Sequence, residues 1–204
     1  QGMIETLLDG AVDDPAVNRD FLGRALNNTR NLSALLNDLI EISRIESGDM
    51  KMSFRYFGPG EFLRAVVAEL APVAERRRIR VEVAAPDGLP EVYGDRERLK
   101  QVIVNLVDNG IKYSPEGGTV RIGASRETGT VRISVSDTGI GIPPEDLDRI
   151  FERFYRVDKG RSRDLGGTGL GLSIAKHIVE SHCGTIRSES RLGVGTRFLI
   201  RIPA

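Results

Sequence analysis

The sequence predicts an α+β fold, a two-layer sandwich with helices on one face of a mostly antiparallel or mixed sheet, preceded by a helical hairpin. Three observations carry this. Residues 1–50 hold an apolar period of helical type interrupted by one turn. After about Phe54, period-two strands joined by short glycine turns alternate with helical stretches. Glycine is in excess, 23 of 204 residues against a usual ~7%, and it gathers in compact motifs.

The elements follow in order. Ile4, Leu7 and Leu8 share one helical face, and Asp9-Gly10 stops that short helix. Asp14 suits an N-cap and Pro15 a first helical position, where no amide proton is needed. The second helix runs from about Pro15 to Glu46, with Ala25, Leu32 and Leu39 recurring by sevens, as do Leu35 and Ile42. Leu22, Leu36 and Ile45 widen the stripe beyond a coiled-coil seam, which suits a helical bundle. Ser47-Gly48-Asp49 ends it. Such a helix either packs on its own chain or forms a hairpin that pairs with a second copy. The second is preferred, because the remaining sequence looks self-sufficient.

Phe62, Leu63, Val66, Val67 and Leu70 mark the next helix, and Ile79 to Val83 a strand. Pro86 to Pro90 is turn material. Asp95 can cap a helix reaching Lys112. Val120 to Ile122 and Val131 to Val135 are strands joined through Glu127-Thr128-Gly129. A last helix covers about Leu170 to Ser181, and a hairpin around Gly193-Val194-Gly195 closes the chain.

Composition removes several classes. Twenty-nine basic residues balance 29 acidic ones, so neither a strongly basic nucleic-acid binder nor an acidic disordered tail is expected. One cysteine excludes a disulfide framework and a multi-cysteine zinc site. There is no run of ~18 apolar residues, so no membrane span or contact is expected. The opening Gln1-Gly2-Met3-Ile4 does not read as a signal peptide, nor as a natural beginning, since a helical pattern is already under way.

Asn105, Asp108, Asn109 and Lys112 fall at i, i+3, i+4 and i+7, on a polar face separate from Leu99, Val102, Ile103 and Leu106. Asparagine is a mediocre helix former. This is either a solvated face or a site for a hard cation and anionic oxygens, in which asparagine carbonyls and phosphates would hold magnesium and Lys112 would meet a phosphate. Asp137-Thr138-Gly139-Ile140-Gly141 follows a strand. Gly139 and Gly141 permit a sharp turn and close approach of a flat ligand, and Asp137 can accept from an amine such as that of adenine. Gly166-Gly167-Thr168-Gly169-Leu170-Gly171-Leu172 opens a helix whose amides and dipole would attract an anion. Leu172 breaks the dinucleotide spacing, and no Gly-Lys-Ser/Thr is present, so the two familiar nucleotide motifs are excluded. Between the glycine motifs lie 22 residues, Pro144 to Leu165, with Lys159, Arg161 and Arg163 in their second half. They read as a lid over phosphates.

These motifs resemble those of sensor histidine kinases. Asn105 to Pro115 looks like the N box, Asp137 to Ile142 the first glycine box, Phe151 to Arg156 the F box, Gly167 to Leu172 the second glycine box, and Gly193 to Phe198 the third. Residues 51–204 would be the catalytic ATP-binding domain, of the fold shared with gyrase-type and chaperone ATPases. Residues 1–50 would be part of the dimerisation and histidine-phosphotransfer hairpin. The resemblance implies ATP and Mg2+ as ligands. It makes Asn109 the magnesium ligand with Asn105 beside it, Lys112 and Arg156 phosphate contacts, and Tyr113 and Tyr155 neighbours of the nucleoside. Asp137 would take the adenine amine, supported by Thr196, with Gly139 and Gly141 shaping its turn. Gly167, Thr168, Gly169, Leu170, Gly171 and Leu172 would close on the phosphates.

The phosphorylatable histidine of the family's H box would lie ahead of Gln1. The only histidines, His177 and His182, read as structural, and Cys183 stands where the family usually has glycine, as a small packing residue or helix C-terminal variant. The parent would transfer the γ-phosphoryl of ATP to a histidine and then to an aspartate of a response-regulator receiver domain. This chain is expected to bind Mg-ATP without autophosphorylating. Homodimerisation of the parent through the hairpin, a cytoplasmic location and a membrane-anchored parent are also implied. The alternatives are a docking module with a decayed nucleotide site, and a stand-alone ATPase or serine kinase on the same fold.

Overall fold

The computed structural model describes residues 5–6, 15–157 and 167–204. Residues 5–6 are helical. The rest of the expected first helix, its Asp9-Gly10 turn and the Asp14 cap lie outside the described residues, as do Lys159, Arg161 and Arg163 of the expected lid.

Helix α1 spans Pro15–Glu46, and the amide of Asp49 closes its end on the Arg44 carbonyl at 3.1 Å. There follow β1 (Arg55–Phe57), α2 (Pro59–Arg76), β2 (Arg80–Ala84), β3 (Val92–Gly94), α3 (Arg96–Tyr113), β4 (Thr119–Glu127) and β5 (Thr130–Asp137). Two short 3-10 turns, Pro144–Asp146 and Arg149–Phe151, precede α4 (Gly171–Ser181), β6 (Thr185–Arg191) and β7 (Gly195–Pro203).

The main sheet has the order β2-β4-β5-β7-β6. Only β2 and β4 run parallel; the other neighbours are antiparallel. The period-two pattern sets the register. Ile122 stands opposite Val135 and Val135 opposite Phe198; Ala124, Ile133 and Ile200 form the next row. All six are buried. They meet α2, α3 and α4 through Phe62, Leu63, Leu106, Ile174 and Ile178, none more than 1% exposed. The other face is polar, where Glu127 pairs with Arg132 at 3.1 Å and Arg201 at 2.7 Å.

Strands β1 and β3 pair antiparallel in a small separate sheet. The sequence did not reveal them, because three residues carry too little alternation to read. Val92 turns into the core and Tyr93 outward.

Helix α3 carries much of the expected chemistry, and its start is firmly built. Asp95 Oδ1 accepts from the amides of Glu97 and Arg98 at 3.1 and 3.0 Å, the N-cap expected of it. Its Oδ2 accepts from Ser53 N at 2.7 Å. Burial pushes the Asp95 pKa up, but the amides of Ser53, Arg98 and Glu97 and the Arg98 charge together hold it below the ordinary value. The amide of Asp95 donates to His182 Nε2 at 2.8 Å, while the other ring nitrogen lies 2.7 Å from the Ile178 carbonyl. His182 is therefore structural, tying the end of α4 to the start of α3.

Cys183 is exposed, with φ 54°. It is the left-handed residue after α4, where a helix commonly places glycine. The helix-terminal expectation holds and the packing one does not.

Among the described residues, α1 is buried only at its last turns. Ile42 is 8% exposed and Glu41 is buried, whereas Leu22, Leu32 and Leu36 are more than half exposed. Among the described residues no helix is long and apolar enough to cross a membrane.

Candidate functional site

A cleft of about 310 Å³ opens between α3, the loop after β5, the 3-10 segment and the start of α4. Gly110 lets α3 sit low on the sheet. A Cβ there would meet Val120 at 2.9 Å and the Asp137 side chain at 3.3 Å, so the polar face of α3 comes directly beside the end of β5.

From α3 the cleft takes Asn105, Asn109, Lys112 and Tyr113. Asn105 Nδ2 donates to the Gly171 carbonyl at 3.1 Å, which joins the polar helix face to the start of α4. Lys112 Nζ lies 2.7 Å from Asp108, which also lines the cleft. The solvated-face alternative for α3 is thus replaced by a lining face.

Asp137 is half-buried at the strand end. Its Oδ1 accepts from Gly139 N at 2.8 Å and Thr196 N at 3.2 Å. Among the described residues Oδ2 has no donor, and so remains an acceptor for a ligand amine. Burial raises the Asp137 pKa above its ordinary value, against the two amide bonds that lower it. Gly195 makes this arrangement possible: its φ is 138°, and a Cβ there would lie 2.0 Å from the Asp137 carbonyl oxygen. Thr196 in turn sits 3.0 Å from the Ser190 hydroxyl, which accepts from Ile142 N at 2.8 Å. Gly141 lines the cleft, whereas Gly139 is packed behind it against the Tyr113 carbonyl.

The F-box side contributes Tyr155 and Arg156. Tyr155 is fixed by its hydroxyl bond to Asp146 and by Arg149, 4.2 Å above its ring. Among the described residues, Nε and Nη2 of Arg156 are buried with no hydrogen-bond acceptor. Buried guanidinium nitrogens without an acceptor are costly, and in the cleft they suit an anion. Gly167, Thr168, Gly169, Gly171 and Leu172 complete the wall. Leu170 does not line it, being fully buried beneath. The F box braces this turn, with Phe154 N donating to the Gly169 carbonyl at 2.9 Å.

Sequence reasoning missed the apolar floor, Ile140, Ile142, Ile150 and Phe198. Ile140, Ile142 and Phe198 lie inside the glycine motifs, which was the available signal, whereas Ile150 reads as an ordinary core position. It also missed Ala34 and Asp38 of α1. For Asp38 there was a signal, a carboxylate three residues after Leu35 and four before Ile42, inside an apolar stripe.

Among the described residues no group of three His, Cys, Asp or Glu side chains could hold a metal ion. The asparagine carbonyls of α3 suit magnesium, which is usually held by few protein oxygens together with phosphates and waters.

Residues 94–204 match the family of histidine kinase-, DNA gyrase B- and HSP90-like ATPases. The chain belongs to that family, and it carries the ATP-binding catalytic domain of a sensor histidine kinase. It is 39% identical over 201 residues to the sensor-like histidine kinase SenX3 of Mycolicibacterium smegmatis, which covers 98% of this chain and 52% of that protein. The chain thus spans about half the length of that relative. In structure it is similar to full-length ShkA in complex with AMPPNP, with TM-score 0.76, 30% identity, and coverage of 92% of this chain and 37% of that one. It is also similar to histidine kinase ThkA in complex with the response regulator protein TrrA, with TM-score 0.79, 27% identity, and coverage of 99% and 56%.

Proposed function

We propose that this cleft binds Mg-ATP, with adenine at Asp137 and the phosphates between α3, Arg156 and the start of α4. The observation that carries the reading is a cleft with a carboxylate acceptor at one element and, beside a helix N-terminus, a guanidinium two of whose nitrogens have no acceptor among the described residues. Asp137 selects adenine because the exocyclic amine donates to Oδ2, whereas guanine presents a carbonyl there, and two acceptors repel. Tyr113 and Tyr155 flank the nucleoside. Asn109, with Asn105 nearby, would hold magnesium, which neutralises phosphate charge when bound. The ShkA complex contains an ATP analogue, which supports the assignment.

The parent protein would pass the γ-phosphoryl of ATP to a histidine, and from there to an aspartate of a response-regulator receiver domain. The ThkA–TrrA complex supports a regulator as partner. Residues 1–50 would belong to the dimerisation and phosphotransfer element and 51–204 to the catalytic domain. A second copy would cover α1, and the chain would work in the cytoplasm. His182 has both ring nitrogens engaged and is no phosphoacceptor. No H-box motif occurs within these 204 residues, and they are expected to bind nucleotide without labelling themselves.

Calorimetric titration of ATP and GTP, with and without magnesium, tests this on the chain and on Asp137→Asn. The expected result is magnesium-dependent ATP binding, weak GTP binding and loss in the variant. Equal affinity for ATP and GTP, or undiminished binding by Asp137→Asn, would overturn the adenine assignment.

A further inference from the structure

Asp38 belongs to α1, yet it lines the nucleotide cleft. Its Oδ2 accepts the hydroxyl proton of Thr168 at 2.7 Å. The same hydroxyl oxygen accepts from Leu170 N at 3.2 Å, so the Thr168 side chain links α1 to the residue that opens α4. The N-terminal end of a helix favours an anion. In this structure the carboxylate nearest that turn by hydrogen bonding comes from α1. Asp38 also adds negative charge to a cleft that already holds Asp108 and Asp137, with Lys112 balanced by Asp108.

The docking of α1 is one continuous helical face. Asp38 meets Thr168, Glu41 pairs with Arg98, Ile42 enters the core, and Glu46 pairs with Arg153. These positions recur at i, i+3, i+4 and i+8, as one side of a helix must. Arg153 precedes Phe154, which braces Gly169. Contacts of α1 therefore converge on the turn expected to receive phosphate.

We propose that Asp38 is a charge-selectivity residue, a carboxylate that occupies the Thr168 turn and competes there with the terminal phosphates of a nucleoside triphosphate. Docked α1 then opposes ATP more than ADP, and ADP more than AMP, and ATP binding loosens α1 from the domain. This rests on the nucleotide reading of the cleft and adds its dependence on phosphate charge.

The test titrates ATP, ADP and AMP into the chain and into Asp38→Asn, which keeps an acceptor for Thr168 and removes the charge. Asp38→Asn should tighten ATP about five- to tenfold, the effect of one like charge at partly screened range. ADP should gain less, and AMP should not change. A second readout uses fluorophores on Cys183 and on Asn27→Cys, both exposed. Energy transfer between them should change with ATP and not with AMP. Equal gains for all three nucleotides, no gain, or weaker ATP binding by Asp38→Asn would each overturn the proposal, the last by making Asp38 a ligand of the bound metal or phosphates. Unchanged energy transfer on ATP would overturn the loosening of α1. Failure of both chains to bind any adenine nucleotide would instead defeat the underlying reading of the cleft.

Discussion

Asp137 sets ligand recognition against stability within one side chain. Its pKa is raised mainly by burial, so the folded state binds a proton more readily than the unfolded one. The ionised carboxylate therefore destabilises the fold above its raised pKa, and this penalty is relieved as pH falls through that value toward 3.8. Asparagine at this position keeps an oxygen for the amides of Gly139 and Thr196 and carries no charge. Asp137→Asn should therefore lose ATP binding while melting no lower than the parent at pH 7, as read by calorimetry of both chains. A fall in melting temperature would mean that the carboxylate is structurally required. The same ionisation predicts that ATP affinity declines on acidification as Asp137 takes up its proton, and that the decline starts at a higher pH than an ordinary aspartate would give. Cys183 gives a simpler residue-scale case. Its φ of 54° is disfavoured for any residue with a Cβ, by about 1 kcal/mol or more. Cys183→Gly should stabilise the chain by about 0.5–1 kcal/mol, a rise of ~1–4 °C in melting temperature.

Helix α3 acts as the element that turns capping into site geometry. Asp95 holds its first turn and the Ser53 amide, and its lowered pKa makes that contribution fully present above pH 3.8 and lost only as pH falls through the folded value. Asp95→Ala should destabilise the fold by about 2 kcal/mol, a lost cap plus an unsatisfied amide, and lower the melting temperature by ~4–8 °C. This helix was legible beforehand because its apolar and polar faces are cleanly separated and its cap is an aspartate followed by a long periodic run. The strands β4, β5 and β7 were legible for the same reason, with alternation long enough to read. The three-residue strands and the 3-10 turns at 144–151 were not, since tertiary contacts rather than local period decide them. In the site, Asn105, Asn109 and Asp137 stood out because polar residues at ordered spacing contradict local propensity. Ile150 was invisible because a ligand-facing apolar side chain has the same pattern as a core one, while Ile140 and Phe198 lie in glycine motifs whose glycines and polar residues drew the reading. The role of Asp38 depends on a contact 130 residues away along the chain, which no local period reports.

At the scale of the whole molecule α1 is the unbalanced part. Its final turns rest on the ATP-binding region through Ile42 and the Glu41–Arg98 and Glu46–Arg153 pairs. Farther back, Leu22, Leu26, Leu32, Leu36, Leu39 and Ile40 stand 38–58% exposed. Each apolar side chain left in water forgoes about 1.5–3 kcal/mol of burial, and so many along one helix exceed what scattered surface residues explain. A second copy would supply the same stripe, and two such helices would pack at their apolar seams. Light scattering should therefore report a dimer for the chain and a monomer for the double variant Leu32→Glu, Leu36→Glu. Neither substituted residue lines the nucleotide cleft, so ATP affinity should stay within about twofold if α1 docks on its own catalytic region. A large change in affinity accompanying dissociation would mean that the partner's helix, not the chain's own, sets the charge of the phosphate end. A dimer that survives both glutamates would move the interface elsewhere and leave the bare face of α1 to a different protein.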